Sequence, residues 1–254
     1  MIMKPQKYLL AALSFSLTLV SPAQVVTTIN TFADAYIDFG GPAENYGTLP
    51  ELFVRAEGPD PLGPNNEKTY MKFDVSSLLG SGENFSTSSL SMTMSRPGNA
   101  STTAALTIHG IVDNLDSWTE GDITWNNAPK NDTTSRSALL GNTVVLGTAT
   151  IPAGTPQETV ITFSDTGLTD YLNWTAGVIA DPYGNGASAD TITTIIVTGS
   201  NGALGAFYSK EGSGTRLPQL TVTAVPEPGT YALVAGFVTF GLILLRRHRK
   251  GDQI

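Results

Sequence analysis

Four acidic residues and two tryptophans lie close together in the middle of the chain and could carry chemistry. They are Asp113, Asp116, Glu120, Asp122, Trp118 and Trp125. Two opposed carboxylates about 5 to 10 Å apart can hydrolyse a glycosidic bond. The same oxygens can bind calcium or cap turns. Their types and spacing favour turn caps first, calcium second and catalysis third.

Calcium is the metal that the composition favours. The chain contains no cysteine, and His109 is the only histidine before the C-terminal segment, which nearly excludes a zinc site. Acidic residues are plentiful, and bound calcium commonly reinforces proteins outside the cell. We therefore predict structural Ca²⁺ as the cofactor, with four ligands: Asp34, Asp38, Glu120 and Asp122.

Nucleophilic catalysis has little support in the sequence. His109 lies in the strand-like stretch 106–111, on the side opposite its apolar residues, which indicates a solvated strand histidine. The chain has no G-x-S-x-G motif, no H-E-x-x-H motif and no phosphate-cradling glycine loop. We therefore expect that the protein is not an enzyme. A polysaccharide lyase that uses a tyrosine and a basic residue is a distant alternative.

Aromatic and basic residues point to a different chemistry, sugar recognition. Tyrosine combines a flat apolar face with a hydroxyl group, which suits a pyranose ring as it suits any half-wet interface. Basic side chains on the early strands can meet the carboxylates of an acidic sugar, or pair with acids such as Glu57 and Asp74, and pairing is favoured. The predicted carbohydrate-binding residues are Tyr46, Arg55, Lys68, Tyr70 and Lys72.

The elements that must position these residues are short strands. Residues 24–224 are poor in charge and rich in Thr, Ser, Gly and Val, and Leu90, Met92 and Met94 alternate with polar residues. Recurring strands separated by turns mark a sandwich or a barrel rather than βαβ units. The predicted strands are 25–32, 33–38, 52–57, 69–75, 88–96, 105–112, 123–126, 143–151, 159–164, 191–199, 206–210 and 219–224.

One stretch has helical spacing instead. Its apolar residues are Leu168, Tyr171, Leu172 and Trp174. Ser164 or Asp165 is a suitable N-cap, and Gly177 is suited to end the helix. We expect this short helix to pack across one open end of the sandwich.

The N-terminal segment, 1–23, has the layout of a signal peptide. Lys4 and Lys7 make it basic, residues 8–20 are apolar and almost uncharged, and Ser21, Pro22 and Ala23 offer a small-residue cleavage site. We therefore predict export across the inner membrane.

The C-terminal segment, 225–254, reads as a membrane anchor. Residues 230–245 carry no charge and form a predicted transmembrane helix, at the lower limit of length for spanning a bilayer. Basic residues follow it and keep that end in the cytoplasm. Residues 24–224 then lie outside, with 8 basic and 20 acidic side chains, a net charge of −12. Such a surface repels nucleic acid, so we expect no nucleic-acid partner.

The C-terminal segment resembles the PEP-CTERM sorting signal. The resemblance depends on three elements in order: the motif Pro226, Glu227 and Pro228, the apolar segment, and Arg246 with Arg247. It implies that an exosortase processes a membrane-anchored precursor and directs it to the cell surface or the extracellular matrix.

Residues 24–224 resemble the DNRLRE-type domain, which is related to family-96 carbohydrate-binding modules. The tryptophan block, residues 118–129, is the most specific match. The matching blocks run in order along the domain: 33–38, 45–47, 52–55, 72–77, 118–129, 207–211 and 216–222. The resemblance implies a non-catalytic, jelly-roll-like antiparallel β-sandwich that binds extracellular polysaccharide, with acidic polyuronates as the known ligand class. A purely structural surface protein is the alternative.

Overall fold

The computed structural model describes residues 24–56, 64–79, 84–113, 117–184, 191–200, 202–212 and 214–225, together with residue 236. Apart from that last residue, the predicted signal peptide and the whole sorting segment after residue 225 lie outside these ranges, as do Glu57 and Asp116. No helix within the described ranges has both the length and the apolar composition that crossing a membrane requires.

Ten strands, one α-helix and a 3₁₀ turn at Ser76–Leu78 make up the regular structure of the described ranges. All pairings between these strands are antiparallel. The predicted antiparallel β fold with one short helix is therefore confirmed. In chain order the elements are β1 (Val25–Asp38), β2 (Glu51–Ala56), β3 (Asn66–Asp74), β4 (Asn84–Thr93), β5 (Ala104–Ile111), β6 (Thr143–Ile151), β7 (Val160–Phe163), α1 (Thr166–Thr175), β8 (Ile192–Gly199), β9 (Ala203–Tyr208) and β10 (Gln219–Val225).

Strand β1 belongs to two layers. Its first half, residues 25–30, pairs with β10, and that layer continues through β4 to β7. Its second half, residues 31–38, pairs with β3, and that layer continues through β8 and β5 to β6. A register shift between Thr31 and Ala33 marks the change of layer, as expected where a strand bends at a bulge.

The layers also meet through β2 and β9. Strand β2 pairs with both β3 and β9, and a bridge between Met94, next to β4, and Phe207 in β9 reaches the opposite layer. The two predicted layers of the sandwich are thus joined into one nearly closed, barrel-like sheet.

Two apolar clusters lie on opposite faces of β3. Met71 and Phe73 point into the main core between the layers, whereas Tyr70 points outward, as strand alternation requires. On that outer face Tyr70 packs in a second cluster with Trp125 and Ile123. Residues 117–140, which we name the tryptophan loop, cover this face.

Two sequence predictions of local structure need correction. The predicted strands 25–32 and 33–38 are a single bent strand, β1. The predicted strand 123–126 is a turn, in which the Ala128 amide donates to the Thr124 carbonyl at 2.9 Å. Ile123 and Trp125 suggested a strand because both are apolar, but each is buried against the outer face of the sheet.

The predicted helix is confirmed and its N-cap is resolved. Asp165, not Ser164, caps α1, since its carboxylate accepts a 3.1 Å hydrogen bond from the Gly167 amide. The Tyr171 hydroxyl donates to the Ile111 carbonyl at 2.8 Å, at the end of β5, and Asn173 Nδ2 donates to the Phe85 carbonyl at 3.1 Å, near the start of β4. The helix therefore connects the two layers at one end of the fold.

Candidate functional site

Lys68, a predicted sugar-binding residue, is completely buried beneath the tryptophan loop. Its ammonium donates to Asn131 Oδ1 at 2.7 Å and to the Ala138 carbonyl at 2.8 Å. It also lies 4.8 Å from the centre of the Trp125 ring. Burial lowers the pKa of this ammonium to about 7. These contacts of Lys68 bind the tryptophan loop to β3.

Lys72 and Tyr70, further along β3, also donate hydrogen bonds to carbonyl groups of the tryptophan loop. The Lys72 ammonium donates to the Trp118 carbonyl and lies 4.7 Å from the centre of that indole ring. The Trp118 Nε1–H donates to Thr194 Oγ1 on β8 at 3.0 Å. Tyr70 is fully buried and donates to the Pro129 carbonyl at 3.1 Å. The structure therefore places Lys68, Tyr70 and Lys72 under the loop.

Tyr46 and Arg55, the other two predicted sugar-binding residues, lie on a different surface. The Tyr46 ring stacks on Tyr36 with a centroid distance of 4.5 Å and an interplanar angle of 15°. The Tyr36 ring meets Phe53 edge-on at 5.2 Å. The Arg55 guanidinium lies 5.8 Å from the centre of the Phe53 ring, so Phe53 connects the two predicted residues.

Strands β2 and β9 extend this surface. Glu51 pairs with Tyr208 and Phe53 with Ala206, so alternate residues of the two strands share one face. Arg96 lies 5.1 Å from the centre of the Phe53 ring, and Arg216 lies 5.4 Å from that of Tyr208. We name this surface the aromatic–arginine face and define it by seven residues: Tyr36, Tyr46, Phe53, Arg55, Arg96, Tyr208 and Arg216.

Each arginine of the aromatic–arginine face has a carboxylate partner. Arg96 Nε donates to both carboxylate oxygens of Glu51, at 2.8 and 3.1 Å, and this contact lowers the pKa of Glu51.

The two other pairs lie on either side of it. Arg55 Nε is 3.4 Å from Glu67 Oε2, and Arg216 Nε is 2.6 Å from Glu158 Oε2. Each of the three arginine charges on the face is therefore matched by a glutamate.

The four predicted calcium ligands do not lie together. Asp34 and Glu120 are close to each other, and the third acid beside them is Glu211, with one oxygen from each of the three within 4.8 Å of the others. Asp38 instead accepts from the Gly40 amide at 2.9 Å. Asp122 accepts from the Thr119 hydroxyl at 2.6 Å. These last two acids shape turns.

Asp34 is the buried member of this acidic cluster, which we define as Asp34, Glu120 and Glu211. Asp34 Oδ2 accepts from the Lys210 amide at 3.0 Å. Its Oδ1 is buried and finds no hydrogen-bond partner within the described part of the chain. Burial raises the pKa of this carboxyl to about 7.

Close backbone packing positions the other two acids. Asn45 Nδ2 donates to the Glu120 carbonyl at 2.7 Å, and a Cβ added at Gly47 would overlap that same carbonyl oxygen. A Cβ at Gly212 would overlap the Pro50 carbonyl. Sequence reasoning missed Glu211, although the block 207–211 contains it, because nothing local indicates that it meets a residue on β1.

Two of the residues considered for catalysis, His109 and Asp113, contact other polar groups. His109 is half-buried and its Nε2 lies 3.0 Å from Thr198 Oγ1, so it is not the solvated histidine that the sequence suggested. Burial lowers its pKa to about 4. Asp113 pairs with Lys130 and accepts from Asn142 Nδ2 at 3.0 Å.

The comparison with known families bears on these two surfaces. Residues 25–145 match the family model of carbohydrate-binding module family 96. The chain carries a domain similar to a carbohydrate-binding module. The matched residues include Asp34 and Glu120 of the acidic cluster and most of the aromatic–arginine face, whereas Tyr208 and Glu211 follow the match. A search of curated proteins found no match to the chain.

Proposed function

We propose that this protein is a non-enzymatic module that binds extracellular polysaccharide. The observation that carries the proposal is the match of residues 25–145 to carbohydrate-binding module family 96. A matrix or surface protein with no glycan ligand is the alternative, and the binding experiment below separates the two.

We assign the binding to the aromatic–arginine face. Its rings and guanidinium groups form a continuous series of contacts, from the Tyr36–Tyr46 stack through Phe53 to Arg96. The Arg96 side chain is 61% exposed, and a guanidinium paired with a carboxylate offers both donors and acceptors to sugar hydroxyls. Tyr36 is buried and supports its neighbours, so the half-buried rings of Tyr46, Phe53 and Tyr208 are the ones that can contact the apolar faces of a pyranose.

The charge of the face favours an uncharged polysaccharide over an acidic one. The exported part of the chain carries a net charge of −12, so a polyanion would need a local excess of positive charge to bind. The arginines of the face are each paired with a glutamate. Lys68 and Lys72, the basic residues that the sequence suggests for an acidic sugar, are buried and donate to the tryptophan loop.

Affinity electrophoresis tests the proposal. We expect uncharged glucans or galactomannans to slow the purified chain, and Phe53→Ala and Arg96→Gln to weaken this retardation about fivefold or more. Phe32→Ala is the matched control, because its ring is 46% exposed and lies outside the defined face. Retardation by neither uncharged nor acidic polysaccharides would leave the structural alternative. Retardation by acidic polysaccharide alone would overturn the charge argument.

We propose further that the chain is exported, anchored by its C-terminal segment and then sorted by an exosortase-type system to the surface or matrix. The signal-peptide layout of 1–23 and the Pro226, Glu227 and Pro228 motif support this. Deleting residues 226–254 should move the exported protein from the membrane fraction to the soluble fraction. An unchanged distribution after the deletion would contradict the proposed anchor.

A further inference from the structure

The acidic cluster concentrates negative charge that the protein's own groups only partly balance. Three carboxylates meet there, and the Lys210 ammonium lies between two of them, 2.8 Å from Glu120 Oε2 and in contact with Glu211. The backbone N–H of Lys210 donates to Asp34 Oδ2, and the backbone N–H of Asp34 donates to Glu120 Oε1. Three acids and one ammonium leave at least one negative charge uncompensated within the cluster.

Asp34 supplies an independent sign that a ligand belongs there. Its side chain is completely buried, and its Oδ1 has no hydrogen-bond partner in the described ranges. A buried carboxylate oxygen without a partner is costly. A metal ion bound to that oxygen would remove the cost.

The spacing of the oxygens is compatible with calcium. Two oxygens bound to the same Ca²⁺, at about 2.3 to 2.6 Å each, lie at most about 5 Å apart. Around Mg²⁺, at about 2.0 to 2.1 Å, the limit is near 4.2 Å. The three carboxylate oxygens lie within 4.8 Å of one another, which is inside the limit for Ca²⁺, and the comparison of CaCl₂ with MgCl₂ below distinguishes the two ions.

We propose that Asp34, Glu120 and Glu211 bind one divalent cation of the calcium class, and that the Lys210 ammonium holds its place when the cation is absent. Cation binding displaces only the Lys210 side chain, which is 24% exposed and flexible enough to turn towards solvent. The bound cation then joins β1, the tryptophan loop and the segment after β9. This inference does not depend on the proposed glycan binding.

The site makes opposite predictions for two variants. Asp34→Asn removes a ligand but also a buried charge, so the variant melts at or above wild type in chelator and gains nothing from calcium. Lys210→Gln removes the competing ammonium, so half of the calcium-induced shift in melting temperature is reached at a concentration about tenfold lower.

Thermal unfolding of the full chain tests this, after treatment with chelator and titration with CaCl₂ or MgCl₂. Glu211→Gln serves as a second loss-of-ligand variant, since its side chain is 27% exposed and the change preserves shape. Asp122→Asn, on the same loop as Glu120, is the matched control and should respond as wild type does. No calcium shift in the Lys210→Gln variant, or a full shift in both Asp34→Asn and Glu211→Gln, overturns the proposal.

Discussion

The Lys68 ammonium lies 4.8 Å from the centre of the Trp125 ring and at the same time donates to Asn131 and Ala138. Lys72 repeats the arrangement with Trp118, at 4.7 Å. Two lysines on one face of β3 therefore make cation–π contacts with two tryptophans of the loop. Their charges act inside the protein, on its own polar groups.

Lys68→Met should lower the free energy of unfolding by about 2 to 4 kcal/mol, because Asn131 Oδ1 and the Ala138 carbonyl lose a buried charged donor. Urea unfolding measures the change. We expect the folded variant to keep its polysaccharide affinity in affinity electrophoresis. Unchanged stability with lost affinity would instead make Lys68 a sugar-binding residue.

Gly47→Ala should lower the melting temperature by about 3 to 10 °C, because the added methyl group overlaps the Glu120 carbonyl. Gly121→Ala is the control, since a Cβ there meets nothing within 4 Å. Gly121 follows Glu120 in the turn of the tryptophan loop against which Gly47 packs. Equal melting temperatures for the two variants would mean that this close approach is not required.

Polysaccharide binding should change by less than about twofold between 0.05 and 0.5 M NaCl, because screening weakens contacts with a charged ligand far more than contacts with an uncharged one. Affinity electrophoresis at several salt concentrations measures this. Steep weakening with salt would show that free positive charge on the face drives binding, contrary to the pairing of its arginines with Glu51, Glu67 and Glu158.

His109 should make the fold sensitive to acid. Its pKa is lowered to about 4 by burial, whereas the unfolded chain takes up this proton near pH 6.5. The unfolded state thus binds more protons between these values, and stability is complete above pH 6.5 and is lost as the pH falls towards 4.

The expected loss from His109 is on the order of 3 kcal/mol. His109→Gln retains a hydrogen-bonding group for Thr198 and cannot be protonated. The free energy of unfolding, measured between pH 7 and pH 4, should therefore fall less with decreasing pH in the variant than in wild type. Parallel pH profiles for the two proteins would contradict the assignment.

Local pattern was sufficient for most elements of the fold. The alternation of Leu90, Met92 and Met94 and the helical spacing of Leu168, Tyr171 and Trp174 are properties of a few neighbouring residues, and the structure has both elements. The bend in β1 could not be foreseen, because it arises from pairing with two partners, β10 and β3, that lie far apart in the sequence.

The candidate sites depended still more on distant contacts. Strand alternation brings Lys68, Tyr70 and Lys72 to one face of β3, but whether that face meets solvent is decided by residues 117–140. Asp34 and Glu211 meet only because β9 ends beside β1 in the folded chain. Residue type suggested an oxygen-rich metal site, and tertiary contacts decide which carboxylates lie together.

The pairing of β1 with β10 also constrains how the chain can fold. Thr28 and Thr221 are 193 residues apart in the chain and yet form a hydrogen bond of 3.4 Å. Contacts between such remote segments slow folding, and a nascent chain cannot close its sheet until the last strand has been synthesised. The start of β1 and the end of β10 are neighbours in the sheet, since Val25 pairs with Ala224. The segments before residue 24 and after Val225 are therefore attached to adjacent strands.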